Sequence, residues 1–153
     1  MSAPPPRQQR RRLQDIAQLR DLGVVLSDSG TTAPTTAIVC RLDGPAETPY
    51  ADKSWRVSIT LPAEYPFKSP SVGFIDTLFH PNVEPQSGSV CLNALNTEWT
   101  PVYRLTDIIT TLLPQLLRYP NPADPMNQIA AELWESDQAA YAARVAQSPG
   151  YTA

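Results

Sequence analysis

Proline is the residue that most constrains how this chain can fold. The sequence contains 17 prolines in 153 residues, about twice the usual share, and 12 of them lie between Pro45 and Pro125. A proline fixes its own φ angle and donates no backbone hydrogen bond, so this stretch must hold long, stiff segments of irregular structure. Rigid loops of this kind commonly carry functional sites.

Four segments have the alternation and the β-branched residues that are typical of strands. Residues 36–42 and 55–61 carry the clearest pattern, and a shorter run at 72–75 comes after Pro70. A weaker segment at 23–27 would complete a four-stranded antiparallel meander.

Helical spacing of apolar residues occurs on both sides of these strands in the sequence. Residues 10–22 predict an amphipathic N-terminal helix, and residues 105–117 predict a largely apolar central helix that Pro114 should bend or divide. Two C-terminal helices are predicted at 126–134 and 137–146. A sheet with helices at both ends of the chain belongs to the α+β class.

The chain length suits one compact domain. Residues 1–9 are polar and rich in proline, which predicts a disordered arm; residues 10–148 predict the folded core, and 149–153 a short tail. Residues 77–100 show no periodicity, yet they are neither highly charged nor of low complexity. They predict a long ordered loop, and such loops in small domains are usually functional.

Composition excludes several classes of protein. No apolar run approaches the roughly 20 residues that span a membrane, and the arginines near the amino terminus are not followed by a signal-like apolar segment. A net charge of −3 argues against a general nucleic-acid binder. Cys40 and Cys91 are too few for a disulfide framework, which predicts free thiols in the cytosol or nucleus.

The titratable residues leave few routes to catalysis. His80 is the single histidine, so a metal site built on imidazoles is not expected. A Cys-His protease stays open, although the position of His80 between Phe79 and Pro81 favours a ring locked by internal hydrogen bonds over a general base. Cys91 lies in SGSVCLN, a short turn where a thiol can be partly exposed; taken alone, a cysteine on a loop favours an inert thiol.

Four motifs follow one another in the second half of the chain: His80-Pro81-Asn82, GSVCL around Cys91, Trp99-Thr100-Pro101 and PNPADPMN at 120–127. In this order they make the chain resemble the ubiquitin-conjugating enzymes over roughly residues 10–147. The resemblance implies the UBC fold with its long ordered active-site loop. Two further segments, KSPSVGF and LPQLLRYPNPADPMN, are similar to the H class, whose relatives work with the GID/CTLH-type multisubunit RING ligase.

The resemblance implies a mechanism without metal or organic cofactor. Cys91 would take the carboxyl end of ubiquitin from the activating enzyme as a thioester and surrender it to a lysine amine. Asn82 would donate a hydrogen bond to the oxygen that becomes negative during attack, or it would only brace the loop. Asp124 would orient the amine and accept its proton, or it would only stabilise a turn. His80 and Pro81 would have structural roles.

The resemblance also implies docking surfaces on a monomer. Two loops would meet the RING ligase and, in part, the activating enzyme, although Phe67 could instead belong to the core. The arginines at the start of the first helix would meet an acidic surface of the activating enzyme, or they would form a hydrated helix end. The residues implied are Pro66, Phe67, Lys68, Thr100, Pro101 and Val102 in the loops, and Arg10, Arg11 and Arg12 in the helix.

Two departures from the family pattern bear on lysine handling and on the choice of ligase. Asn93 stands where many relatives have an acidic residue, and the sequence ends at Ala153 without the acidic tail of the H class. The chain could be an inactive variant that binds ubiquitin or a ligase, or it could carry another ubiquitin-like modifier. A cysteine protease is the weakest alternative, because no third group is available to orient the base.

Overall fold

The computed structural model describes residues 7–30, 34–90 and 99–152. Within these residues one antiparallel sheet has its strands in chain order, so each strand pairs with the next as in a meander. The predicted α+β class is confirmed. The strands are β1 (Val25–Asp28), β2 (Thr36–Asp43), β3 (Ser54–Leu61), β4 (Ser71–Phe74) and β5 (Ser89–Val90).

The prediction of four strands is wrong, because the described residues form five. Strand β5 lies inside the segment that was predicted as loop. It pairs with β4 through Val72 opposite Val90 and Gly73 opposite Ser89. Two residues are too few to show alternation, so this strand is specified by its partner rather than by a local pattern.

Four helices accompany the sheet in the described residues. Helix α1 is Arg7–Asp21, and α2 is a continuous helix over 105–118. Helix α1 begins three residues before the predicted start, so residues 7–9 are helical rather than part of a disordered arm. The side chain of Gln8 donates to the carbonyl of Ala63, which fixes this first turn against a loop. The C-terminal helices are α3 (Gln128–Ser136) and α4 (Gln138–Ala146).

Pro114 does not split off the last turn of α2; the helix continues past this residue, and its winding widens just before it. The helix starts as an α-turn at Leu105–Asp107, widens to a π-helix over Ile108–Leu112 and continues as an α-helix over Leu113–Arg118. In the wide turn the N–H of Leu113 bonds to the carbonyl of Ile108. A proline has no N–H to donate, and helices accommodate such interruptions with local wide turns.

Within the part of the chain that the structure describes, one apolar cluster joins the sheet to α1, α2, α3 and α4. Strand β2 alternates along its length, so Ile38, Cys40 and Leu42 are buried while Arg41 and Asp43 are exposed. Burial raises the pKa of the Cys40 thiol to about 12, which makes it a packing residue rather than a nucleophile. Among the described residues, no helix is long and apolar enough to cross a membrane.

The predicted C-terminal tail is held against the sheet as far as residue 152 is described. The backbone N–H of Tyr151 donates to the carbonyl of Ser54 at 2.6 Å. The guanidinium of Arg56 lies 5.3 Å from the centre of the Tyr151 ring. Because Arg56 also forms an ion pair with Asp76, the tail and the loop after β4 share one arginine.

Candidate active site

His80 is fully buried between the sheet and α2. The backbone N–H of Asn82 donates to its Nδ1 at 3.0 Å, so Nε2 carries the proton and donates to the carbonyl of Leu116 at 2.8 Å. Burial lowers the pKa of this imidazole to about 4, which keeps the ring neutral. A neutral ring with both nitrogens engaged and no exposed surface is not placed to act as a general base.

Pro81 links this turn to the start of α3. Its carbonyl accepts hydrogen bonds from the backbone N–H groups of Met126 at 2.8 Å and Asn127 at 3.0 Å. The side chain of Asn127 then caps α3 by accepting from the N–H of Ala130 at 3.1 Å. The turn at 80–82 is therefore fixed on one side to α2 and on the other to α3.

Asn82 is buried, and its side-chain amide is committed to the loop that precedes α3. Its Oδ1 accepts from the N–H of Asn121 at 2.8 Å, and its Nδ2 donates to the carbonyl of Asn121 at 2.8 Å. A longer bond, 3.4 Å, joins Nδ2 to the carbonyl of Asp124. These hydrogen bonds hold the loop at 121–124 against the turn at 80–82, and we call them the brace. The 3.4 Å bond is the weakest of them, so a competing acceptor would replace it most readily.

Asp124 lies on this braced loop with its side chain exposed. The bond from Asn82 to its carbonyl holds the backbone at this point, while the carboxylate faces solvent. The loop thus presents an acidic group beside the turn at 80–82. The sequence could place both residues only through the family resemblance, because 42 positions separate them.

Cys91 and Asn93 lie outside the described residues. The structure does describe the residue before Cys91, since Val90 belongs to β5 and forms an additional bridge with Val83. Val83 directly follows Asn82 in the chain. The bridge therefore holds Val90 beside the turn that carries Asn82.

The two predicted docking loops lie side by side. We define them as the first docking loop, residues 66–68, and the second docking loop, residues 100–102. The indole N–H of Trp99 donates to the carbonyl of Pro66 at 2.9 Å, and its ring lies 6.0 Å from that of Tyr65. Sequence reasoning used Trp99 only as part of a motif and missed it as the joint between the loops.

The side chains at the tips of these loops face solvent. Phe67 is 71% exposed and Val102 is 84% exposed. The alternative that Phe67 belongs to the core is therefore wrong. An exposed aromatic ring on a loop held by proline and tryptophan is a typical anchor for a partner protein.

The three predicted docking arginines do not form one surface patch. Arg10 is exposed, but Arg11 forms an ion pair with Asp15. Arg12 is 5% exposed and donates to the carbonyls of Pro34 and Pro62. The prediction that Arg12 docks a partner is wrong, because its buried guanidinium donates hydrogen bonds to backbone carbonyls of the same chain. The sequence could not reveal this, since those carbonyls lie far along the chain.

No group of three or more His, Cys, Asp and Glu side chains within the described ranges could hold a metal ion.

A model of the family described as "Ubiquitin-conjugating enzyme" matches residues 11–148. The chain belongs to the ubiquitin-conjugating enzyme family.

Curated members of this family are similar over about two thirds of the chain. Ubiquitin-conjugating enzyme E2 6 of Arabidopsis thaliana is 47% identical over 102 residues, which are 67% of this chain and 56% of that protein. Ubiquitin-conjugating enzyme E2-24 kDa of Saccharomyces cerevisiae is 44% identical over 102 residues, 67% of this chain and 47% of that protein. This chain spans about half the length of these relatives.

Solved structures of ubiquitin-conjugating enzymes share the fold. The E2 domain of a Toxoplasma gondii ubiquitin conjugating enzyme has a TM-score of 0.74 and 26% identity, over 91% of this chain and 94% of that chain. The H. polymorpha ubiquitin conjugating enzyme Pex4p, solved with the soluble domain of Pex22p, has a TM-score of 0.76 over 95% of this chain and 100% of that chain. At 22% identity the second likeness shows the fold alone.

Proposed function

We propose that this chain is a ubiquitin carrier that works through a thioester on Cys91. The proposal takes the activating enzyme as the donor of ubiquitin and a lysine side chain as the final acceptor. The observation that carries it is the brace by Asn82, which joins the turn at 80–82 to the acidic loop at 121–124. The bridge between Val83 and Val90 places the residue before Cys91 beside the same turn.

The first step is an exchange of thioesters. The thiolate of Cys91 attacks the carbonyl carbon of ubiquitin on the activating enzyme, the bond from that carbon to the enzyme's sulfur breaks, and the enzyme's thiolate leaves. No histidine base is required, because a thiolate is already the nucleophile. This agrees with the burial and the neutral state of His80.

The second step transfers ubiquitin to an amine. The amine attacks the thioester carbonyl, the carbon–sulfur bond breaks, and the amine loses a proton. The carboxylate of Asp124, exposed on the braced loop, is proposed to orient the amine and accept that proton. Asn82 is proposed to steady the transient oxyanion by exchanging its 3.4 Å bond to the carbonyl of Asp124 for a bond to that oxygen.

The docking loops suit a protein partner of the RING type. Phe67 and Val102 present exposed apolar side chains on loops that Trp99 holds together. The sequence likeness of KSPSVGF and LPQLLRYPNPADPMN to the H class leads us to propose a GID/CTLH-type ligase as the partner. Arg10, the exposed member of the arginine cluster, is proposed to meet the activating enzyme. Because the chemistry needs a free thiol, we propose the cytosol or nucleus as its site of action.

The test is a charging assay on a non-reducing gel. The protein, the activating enzyme, ATP and ubiquitin should give an upward shift that thiols reverse, and Cys91→Ser should give a shift that resists reductant but is lost in base. Cys40→Ala is the matched control, because it removes the other cysteine from a buried position and should still be charged. An uncharged wild-type protein would refute the proposal and favour a binding module. Parallel reactions with other ubiquitin-like modifiers and their activating enzymes test whether ubiquitin is the cargo.

A further inference from the structure

Asp15 on α1 is a buried carboxylate that the proposed reaction does not use. It accepts hydrogen bonds from three donors: Nε of Arg11 at 2.6 Å, the hydroxyl of Tyr65, and Nη1 of Arg104 at 3.1 Å. A carboxylate removed from water is tolerated only where such bonds and opposite charges compensate it. Three widely separated parts of the chain therefore meet at this one side chain.

Two of these donors reach the second docking loop and its flank. Besides the bond to Asp15, Arg11 donates through Nη1 to the carbonyl of Pro101 at 2.6 Å and through Nη2 to the carbonyl of Tyr103. Arg104, the next residue, is bonded to Asp15 directly. The ion pair orients the Arg11 guanidinium, and that guanidinium holds the loop backbone.

The third donor leads to the first docking loop. Tyr65 directly precedes Pro66, and its hydroxyl is bonded to Asp15. The loop is then joined to its neighbour through the bond from the Trp99 indole to the carbonyl of Pro66. The ring of Trp99 packs between Tyr65 and Tyr103, with centroid distances of 6.0 and 5.6 Å. Hydrogen bonds thus connect α1 to each of the two docking loops and connect the two loops to each other.

We infer that Asp15 is a positioning residue that sets α1 and the two docking loops in the arrangement that partner proteins bind. The inference rests on the proposed function and extends it, since it names the group that fixes the docking surface. Without the carboxylate, Arg11 and Arg104 lose their shared counter-ion and repel each other. The loops would then occupy several arrangements, and binding would have to select one of them at a cost in affinity.

Two variants and a control test this role. Asp15→Asn keeps the size of the side chain and removes its charge, whereas Tyr65→Phe removes only the hydroxyl. Tyr141→Phe is the matched control, because it also removes a buried tyrosine hydroxyl, one that is bonded to Tyr50 away from the docking loops. Urea unfolding establishes that each variant is folded, and Tyr65→Phe carries the test if Asp15→Asn is not.

The first measurement is the NMR signal of the Trp99 indole N–H, assigned with Trp99→Phe. The second is the KM of the activating enzyme for this chain in ubiquitin transfer. Both Asp15→Asn and Tyr65→Phe should shift the indole signal and raise KM by about fivefold, the equivalent of roughly 1 kcal/mol, with kcat within about twofold of wild type. Tyr141→Phe should change neither.

A wild-type indole signal and KM in both variants would overturn the inference, and so would equal changes in Tyr141→Phe. If the wild-type protein is not charged at all, the proposed function fails; a wild-type indole signal in both variants would still overturn the inference about Asp15, independently of that failure. A shifted signal with unchanged KM would limit the role to structure and would also overturn it.

Discussion

Asn82 and Asn121 exchange two hydrogen bonds of 2.8 Å, one in each direction. The side-chain amide of the first residue pairs with the backbone N–H and carbonyl of the second, as a neighbouring strand would. A loop without a strand beside it thereby has its backbone groups satisfied. The same amide is the proposed oxyanion donor, so bracing and catalysis compete for one side chain.

We predict that Asn82→Ser separates these two roles. The serine hydroxyl is too short to replace both bonds, so the free energy of unfolding should fall by about 2 kcal/mol. Charging with ubiquitin should be near normal, and discharge of the thioester onto free lysine should slow by about 10²-fold. Stopped discharge reactions at a temperature well below the unfolding midpoint measure this rate.

Asp137→Ala is the control for stability alone. Asp137 caps α4 by accepting from the N–H of Ala140 at 3.0 Å, and its loss should lower stability by about 1 kcal/mol without slowing discharge. Discharge by Asn82→Ser at the wild-type rate would remove Asn82 from the catalytic step and leave only the brace.

We predict that the buried His80 makes the protein less stable at mildly acidic pH. The pKa of His80 is about 4 in the folded protein, against an ordinary value of 6.5. Between these two pH values the imidazole is protonated in the unfolded chain and neutral in the folded protein. Stability is fully present above pH 6.5 and falls as the pH drops towards 4. Between pH 7.5 and 5.0 the loss from this group should be about 2 kcal/mol.

Urea unfolding at these two pH values measures the loss. Because His80 is the single histidine of the sequence, His80→Gln should be less stable at pH 7.5 but should show little change between pH 7.5 and 5.0. An equally steep pH dependence in the variant would assign the effect to carboxylates instead.

Phe67→Ala should impair partner binding without affecting the fold. The ring is 71% exposed, so stability should change by no more than about 0.5 kcal/mol. Discharge stimulated by a panel of RING domains should fall at least about tenfold, while unstimulated discharge stays the same. Thr111→Ala, an exposed substitution on α2, is a control that should leave stimulation intact. Normal stimulation of Phe67→Ala by every responsive RING domain would exclude the first docking loop as the ligase surface.

The strands and helices with many residues were predictable because their patterns are local. Strand β2 alternates in sequence as it does in burial, and the apolar spacing of α2 predicts its central position. Strand β5 has no such pattern and depends on β4. The start of α1 was misplaced because a contact from Gln8 to a distant loop decides it.

The candidate site was predictable in identity but not in geometry. The motif resemblance selected His80, Asn82 and Asp124, but it did not show that the side chains of His80 and Asn82 bond to backbone carbonyls of Leu116, Asn121 and Asp124. The arginines show the same limit. Arg10 and Arg12 are close in sequence but differ in burial. Arg10 is exposed, whereas Arg12 is buried and bonds to carbonyls that only the tertiary structure brings near it.

The two lysines of the sequence are predicted to differ as acceptors of ubiquitin. The ammonium of Lys53 donates to the carbonyls of Val145, Ala146 and Ser148 at the end of α4. These bonds use all three N–H groups of the ammonium and hold the side chain against the end of α4. Lys68 is exposed on the first docking loop.

We therefore expect self-modification at a lysine of this chain to occur on Lys68. After charging, reduced samples digested with trypsin should contain the diglycine remnant on Lys68 and not on Lys53. Lys68→Arg should abolish this lysine-linked product, and Lys53→Arg, which keeps a cation at the end of α4, should retain it. A remnant on Lys53 in the wild-type protein would show that its three hydrogen bonds open often enough to release the amine.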